Sequence, residues 1–260
     1  MMQIMNIRPA LLLFVLLLAP GPLDPASAAP QLTIMVEDAS EPFSRPDGSG
    51  YANDLVRAAY RAAGVDLRLS IVPYARCREY LKSARIPACF AMSWSKDLED
   101  TGIVFSSRPL FEVDADVFLN SASRLRPQSL ADIKPGSTVG IINGYEYPDQ
   151  VYAMEKSRIL LERNVDDAAN LKMLANNRID AAILMLSEFD NLERRLDTGE
   201  AGKSVRFAFR AGLMKSHIAF NLRNSQGQFA RDAFEKGYAS LVSNHEIDRI
   251  RQRWKKMTVR

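Results

Sequence analysis

The feature that most constrains the fold is a strand–helix alternation that runs through the chain twice. In the first round, apolar runs predict strands at 32–36, 67–71 and Ala88–Met92, separated by predicted helices at 53–63 and 74–84. Consecutive strands joined by helices are typical of parallel βαβ units. The sequence therefore predicts an α/β protein.

A second round follows a long apolar segment, 111–119, which we expect to cross out of the first unit. Periodicity predicts strands at Thr138–Ile142, 159–161, 179–184 and 217–222, and helices at 147–156, 165–175, 187–196, 226–241 and 245–254. The octapeptides 85–92 (RIPACFAM) and 178–185 (RIDAAILM) each follow a predicted helix and enter a buried strand. The shared phrase and the shared order predict two similar lobes.

The N-terminus has the pattern of a secretory signal. Arg8 precedes an apolar core at 10–19, prolines break the following stretch, and small residues at 26–29 form an A-x-A cleavage pattern. We expect cleavage after Ala28 and export to the periplasm. The alternative is an uncleaved membrane anchor, although the apolar core is shorter than a bilayer-spanning helix.

Charge and cysteine content narrow the classes of function. The 260 residues carry a net charge of +3, and the arginines are scattered rather than clustered, so no nucleic-acid partner is expected. Cys77 and Cys89 lie twelve positions apart, on a predicted helix and on the strand that follows it. An oxidising compartment permits a disulfide between them. However, residues on a helix and on the next strand can also lie too far apart to form one.

Catalytic and cofactor motifs are missing from the sequence. The two histidines, His217 and His245, are far from any zinc-type pattern, and no phosphate-binding glycine loop or nucleophile motif is present. We therefore expect no metal, no cofactor and a protein that is not an enzyme.

Polar and aromatic residues gather instead at predicted strand ends and helix starts. In open α/β sheets these positions meet at one edge, where ligands bind. The predicted ligand-binding residues are Glu37, Phe43, Tyr51, Tyr74, Arg76, Ser93, Trp94, Ser95, Gly144, Tyr145, Tyr147 and Met185.

Several of these positions also have a purely structural interpretation. Phe43 and Tyr51 can pin their own loop, and Arg76 can form a surface ion pair. Asp54 is interpreted as a helix-start cap, and Glu146 as a carboxylate that complements a helix dipole. Packing is the corresponding alternative for Trp94 and Met185.

A set of short phrases, in order, resembles the bacterial extracellular solute-binding proteins of family 3, the polar-amino-acid receptors of ABC importers. The resemblance covers essentially all of the mature sequence. The phrases are EPF at 41–43, GYANDL at 50–55, VPYAR at 72–76, FS at 105–106 with PLF at 109–111, VGI at 139–141 with GY at 144–145, and Leu174 with RIDA at 178–181.

The resemblance implies a two-lobed, type II periplasmic-binding-protein-like fold with a ligand cleft between the lobes. The expected division is a signal peptide at 1–28, lobe 1 at 29–118, lobe 2 at 119–216, and a return to lobe 1 with the C-terminal helices at 217–260. The expected partners are a small-molecule ligand and an ABC transporter permease or a membrane sensor, and the protein is expected to be a monomer.

The chain departs from the family at its ligand clamp. Family members that bind α-amino acids carry an arginine after the third strand, but here Ser93-Trp94-Ser95 leads to Leu98 and Glu99. Met185 stands where an acidic residue for the ligand amine is typical. We therefore expect a small polar or aromatic-bearing solute, with Arg76 as a hypothetical replacement cation.

Two alternatives remain at the level of sequence. The scaffold also resembles that of the cyclohexadienyl dehydratases, in which a cleft carboxylate such as Glu37 or Glu146 would act as the acid. The other alternative is an orphan sensory or interaction module with a degenerate cleft.

Overall fold

The computed structural model describes residues 29–38, 40–94, 98, 100–190 and 203–258. The predicted signal peptide, 1–28, lies outside the described residues. Within the described part of the chain, no helix combines the length and hydrophobicity that a membrane span requires.

The described residues form nine strands and six α-helices. The strands are β1 (Gln31–Glu37), β2 (Asp66–Val72), β3 (Ala88–Met92), β4 (Ile103–Phe105), β5 (Phe111–Asn120), β6 (Thr138–Ile142), β7 (Leu160–Asn164), β8 (Ala181–Ser187) and β9 (Val205–Asn221). The helices are α1 (Tyr51–Ala62), α2 (Tyr74–Lys82), α3 (Asp149–Ala153), α4 (Asp167–Ala175), α5 (Gly227–Ser243) and α6 (Glu246–Thr258), with short 3-10 turns at Leu130–Asp132 and Met154–Ser157.

The strands lie in the order β2-β1-β3-β9-β5-β8-β6-β7, and β4 also pairs with β9. The pairs within β2-β1-β3 and within β8-β6-β7 are parallel, as the βαβ alternation predicts. Between these groups β5 and β9 form a long antiparallel ribbon that belongs to both halves. The two parallel groups therefore lie on opposite sides of a two-stranded connection.

Each half has its own apolar core. Lobe 1 comprises β1–β4, α1, α2, α5 and α6, and its core includes Ile34, Leu55 and Phe234. Lobe 2 comprises β6–β8, α3 and α4, and its core includes Val139 and Ile183. Strand β5 contributes to both cores and packs with lobe 2 from Ala115 onwards. The division of the chain at residue 118 remains a proposal.

The prediction of β9 was too short, since the strand begins at Val205 rather than at 217. Charged residues interrupt the apolar pattern of its first half. They are used in the ribbon: Arg210 contacts Asp114 at 2.7 Å and Asp116 at 3.1 Å on β5, and Lys215 lies 3.8 Å from Glu112. Charges that pair across strands stabilise a ribbon without an apolar signature.

Two predicted helix starts were also wrong. Strand β8 continues through Ser187 because residues up to 187 pair with β5, so no helix begins at 185–187. Helix α3 begins at Asp149 instead of 147 because Pro148 disfavours helical geometry in Tyr147, the residue before it. The predicted helix beyond residue 190 lies outside the described residues.

The C-terminal helices pack back on lobe 1, as predicted. Helix α5 crosses α1 so closely at Gly237 that a β-carbon there would lie 1.8 Å from the carbonyl oxygen of Ala59. Helix α6 is fixed through Asp54, whose Oδ2 accepts hydrogen bonds from Trp254 Nε1 and Arg253, both at 2.9 Å. The interpretation of Asp54 as a helix cap was therefore wrong.

Candidate ligand-binding cleft

A cavity of about 340 Å³ opens between the two lobes. It lies where the C-terminal ends of β1, β6 and β8 meet the β5–β9 ribbon, the edge at which α/β sheets bind ligands. Seven of the predicted site residues line this cavity: Glu37, Phe43, Tyr74, Ser93, Gly144, Tyr145 and Met185.

The lobe 1 floor of the cleft is the end of β1. Strand β1 runs into Glu37, and the chain then turns sharply, with the Ser44 hydroxyl donating to the carbonyl oxygen of Glu37. This turn presents Glu37 and Asp38 to the cavity. A short polar loop after a buried strand thus brings two adjacent carboxylates to the floor.

The carboxyl of Glu37 is in an unusual electrostatic environment. Burial is the main cause that raises its pKa, from 4.5 to about 7, and the nearby charges of Glu146 and Asp38 raise it further. A hydrogen bond with the Ser40 side chain acts in the opposite direction. Glu37 therefore changes its charge near neutral pH.

Glu146 bridges the two lobes. It lies in the loop between β6 and α3, and its Oε1 accepts a hydrogen bond from the Tyr74 hydroxyl of lobe 1. Its Oε2 accepts from the backbone N–H of Ser93 at 3.0 Å, and the Arg78 Nε lies 3.4 Å from Oε1. The predicted role of Glu146 as a helix-dipole carboxylate is replaced by this cross-cleft contact.

Tyr74 remains protonated in this arrangement. Burial raises the pKa of its hydroxyl well above the usual value, and the Glu146 carboxylate raises it further. The hydroxyl is therefore the donor and Glu146 the acceptor of the bond.

An aromatic wall closes one side of the cleft. The rings of Phe43 and Phe111 stack with their centroids 3.6 Å apart and their planes 8° from parallel, and both residues line the cavity. Tyr51 lies behind this wall, 1% exposed and packed against Phe189, with no contact to the cleft. Tyr51 is thus placed in the core behind the wall, whereas Phe43 both packs and faces the cavity.

The other predicted site residues lie elsewhere. Trp94, which is 58% exposed, and the buried Tyr147 line a neighbouring cavity on the outer side of the Tyr74–Glu146 contact. The Tyr147 side chain is held within lobe 2, because its hydroxyl accepts a hydrogen bond from the backbone N–H of Ile142 at 2.8 Å. Arg76 is exposed on α2 and lines neither cavity, and Ser95 lies outside the described residues.

Several cleft residues were missed. Val113, Met214 and Ser216 reach the cavity from the β5–β9 ribbon, and the short prediction of β9 hid two of them. Asp167 and Asp190 come from lobe 2, where each follows a strand by only a few residues. Their positions after β7 and β8 were the available signal, by the same rule that selected Glu37. The remaining missed residues are Asp38, Ser40, Glu41, Ala75, Phe111 and Asn143. Glu146, which the sequence had already placed in the cleft as a possible acid, lines the cavity too.

The segment expected to carry an arginine clamp has a different structural use. Leu98 is only 4% exposed and packs in an apolar cluster with Cys77 and Cys89. These cysteines are joined by a disulfide, with their Cα atoms 6.0 Å apart, a distance typical of disulfides. Lys96, Asp97 and Glu99 lie outside the described residues. Arg108, the next arginine, is exposed and does not line the cavity.

Comparison with known proteins defines the fold class. No protein-family model and no curated protein matches the sequence. Among solved structures, a histidine kinase sensor domain with similarity to periplasmic binding proteins matches with a TM-score of 0.66 at 18% identity, over 87% of this chain and 96% of that one. An ancestral arginine-binding protein bound to arginine matches with a TM-score of 0.66 at 19% identity, over 87% and 99%.

A third similar structure is ArtJ from Geobacillus stearothermophilus, an arginine-, lysine-, histidine-binding protein. Its TM-score is 0.63 at 16% identity, over 86% of this chain and 94% of that one. At such identities the likeness shows the fold alone. The chain has the two-lobed fold of periplasmic binding proteins, which confirms the fold class predicted from the sequence.

Proposed function

We propose that the protein is a solute-binding protein of the family 3 type, which captures a small molecule between its two lobes. The observation that carries this proposal is the cavity of about 340 Å³ lined from both lobes and from the ribbon that connects them. A solute in that position contacts both halves at once, so its binding favours the closed arrangement.

The predicted signal peptide supports a periplasmic location, and the resemblance to family 3 supports delivery to an ABC transporter permease. A membrane sensor is the other candidate partner, supported by the likeness to a histidine kinase sensor domain. The two partners differ in a simple test: loss of an importer abolishes uptake of the solute, whereas loss of a sensor abolishes a transcriptional response.

The test of the binding function starts from the purified protein. Denaturation followed by mass spectrometry of the released small molecules identifies a carried solute, and a thermal-shift screen of amines, amino acids, organic acids and sugars extends the search. A true solute raises the unfolding temperature and reduces the radius of gyration in small-angle X-ray scattering. A solute that binds without compaction contradicts the two-lobe mechanism.

One observation favours a second candidate, an elimination enzyme on the same scaffold. Glu37 is buried in the cleft with its pKa raised to about 7, as a general acid requires. However, prephenate and arogenate are carboxylates, and the described lining of the cleft contains no arginine or lysine to bind them. Turnover of either compound by the purified protein tests this candidate.

A further inference from the structure

The cleft is lined by negative charge. Six of its lining residues are acidic: Glu37, Asp38, Glu41, Glu146, Asp167 and Asp190. Among the described lining residues there is no lysine, arginine or histidine. The whole chain carries a net charge of +3, so this concentration of carboxylates is local to the cavity.

At the edge of the cavity, arginines lie beside Glu41 and Glu146. Glu41 lies 3.5 Å from Arg45, and Glu146 lies 3.4 Å from Arg78, and neither arginine lines the cavity. The most buried carboxylate of the described lining is Glu37, only 8% exposed, and the negative charges of Glu146 and Asp38 act on it. A buried carboxylate among carboxylates is stabilised in its ionised form by a cation that enters the cavity.

The rest of the lining suits an apolar or aromatic body. The stacked rings of Phe43 and Phe111 form one side, and the thioethers of Met185 and Met214 add polarizable surface. Aromatic faces attract ammonium and guanidinium groups as well as apolar carbon.

Among the described lining residues, a ligand carboxylate has no basic partner of this kind. The arginine expected after β3 is absent, Arg76 and Arg108 are exposed and do not line the cavity, and Leu98 is buried in a core. Transfer of a carboxylate into the described cleft would set it against like charges, which is strongly unfavourable.

Resting on the proposed solute-binding function, we infer that the solute is an organic cation without a carboxylate. Its amine or guanidinium group lies against Glu37 and Asp38, and its apolar portion lies against Phe43 and Phe111. The fold neighbours include arginine-binding proteins, and the inferred class differs from arginine by the missing carboxylate.

Matched pairs of ligands test this inference directly. Agmatine and arginine differ only in the α-carboxylate, as do tyramine and tyrosine, and 3-(4-hydroxyphenyl)propionate replaces the amine of tyramine by an anion. Isothermal titration calorimetry with each compound, at about pH 8 where Glu37 is ionised, measures affinity. We expect an amine of this set to bind at least about tenfold more tightly than its carboxylated counterpart, the effect of one unpaired buried charge.

Variants identify the groups that receive the cation. Glu37→Gln and Asp38→Asn each remove one negative charge while preserving shape, and each should weaken amine binding at least about tenfold. Glu155→Gln is the matched control, because Glu155 pairs with Arg163 on the outside of lobe 2, away from the cavity. Its affinity should equal that of the unmodified protein.

The outcomes separate this inference from the function on which it rests. If arginine, tyrosine or an organic acid binds more tightly than the amines and compacts the protein, the cation inference is rejected and solute binding stands. If no compound in the thermal-shift library binds, both are rejected. Equal weakening by Glu155→Gln and Glu37→Gln would also reject the assigned cation position.

Discussion

The hydroxyl of Tyr74 donates a hydrogen bond to the carboxylate of Glu146 across the cleft. Tyr74 begins α2 in lobe 1, whereas Glu146 follows β6 in lobe 2, and the Ser93 N–H binds the second carboxylate oxygen. Both bonds exist only when the lobes are close together. The contact therefore contributes to the closed arrangement, and a bound solute stabilises that arrangement further.

Tyr74→Phe should shift the ligand-free protein towards an open form. A hydrogen bond to a charged group contributes about 1.5–3 kcal/mol, so its loss lowers the closed-to-open ratio about tenfold or more. Small-angle X-ray scattering should show a larger radius of gyration for the variant.

The matched control for that experiment is Tyr152→Phe. The Tyr152 hydroxyl bonds only to backbone groups of lobe 2 in the described structure, donating to Tyr145 at 3.1 Å and accepting from Tyr147 at 3.2 Å. Its loss should leave the radius of gyration unchanged. Identical scattering from both variants would contradict the proposed closing role of Tyr74.

The cross-cleft contact also shows where sequence reasoning ends. The strand–helix alternation predicted the α/β class and the parallel groups, because hydrophobic periodicity is a local property. The rule that ligands bind at strand ends selected Glu37 and Ser93. It could not determine which carboxylate of one lobe meets which hydroxyl of the other, since Tyr74 and Glu146 are 72 positions apart.

The errors have physical reasons of the same kind. The first half of β9 was not predicted because it carries charged residues such as Arg210. Its partners, Asp114 and Asp116, lie on another strand and were not identified from the sequence. Asp54 was interpreted as a helix cap because its place at the start of a helix is visible in the sequence. Its actual partner, Trp254, lies 200 positions away. Arg76 was a candidate because it follows the second predicted strand, but whether its side chain faces the cleft depends on the orientation of α2, which leaves it exposed.

Glu37 makes the stability of the protein depend on pH. Burial holds the Glu37 pKa at about 7 in the folded state, whereas the carboxyl has its ordinary pKa of 4.5 in the unfolded chain. Between these values the folded state holds more protons, so the free energy of unfolding falls as pH rises, by about 3 kcal/mol in total.

Glu37→Gln should abolish this contribution. Chemical denaturation should show the variant to be more stable than the unmodified protein at about pH 8, and equally stable at about pH 4. Glu155→Gln is again the control of the same chemistry. A stability difference that is the same at both pH values would mean that Glu37 does not titrate as described.

Cation binding should release a proton near neutral pH. Asp38 and Ser40 face Glu37 from its own segment, Glu146 faces it from lobe 2, and Tyr74 faces it from α2. An added cation lowers the Glu37 pKa, so the amine affinity should fall by up to about tenfold per pH unit below about 7.

Calorimetry measures this proton directly. Titration of agmatine near pH 6.5 in two buffers of different ionisation enthalpy should give different apparent binding enthalpies. The difference should correspond to the release of about one proton to the buffer. The Glu37→Gln variant, titrated at higher agmatine concentration, should give equal enthalpies. A buffer dependence that persists in this variant would assign the proton to another group.

The disulfide should stabilise the region beneath the cleft. Cys77 and Cys89 close a short loop that joins α2 to β3, and a loop of this length contributes about 3 kcal/mol. Replacement of both cysteines by alanine should lower the free energy of unfolding by about that amount in urea denaturation. Reduction of the unmodified protein should give a similar loss, and no loss in either case would contradict a native bond.

The hydrogen bond from Trp254 to Asp54 should couple α6 to α1. Asp54→Ala and Trp254→Phe each destabilise for additional reasons, but a double-mutant cycle isolates the pair, for which we expect about 1 kcal/mol or more because the acceptor is charged. The exposed Arg253 provides the control, since its cycle with Asp54 should give at most about 1 kcal/mol and lose it at high salt. If Asp54 acted only at the start of α1, its cycle with Trp254 would be additive. A non-additive result would instead show that a carboxylate in the first turn of a helix binds the last helix of the chain.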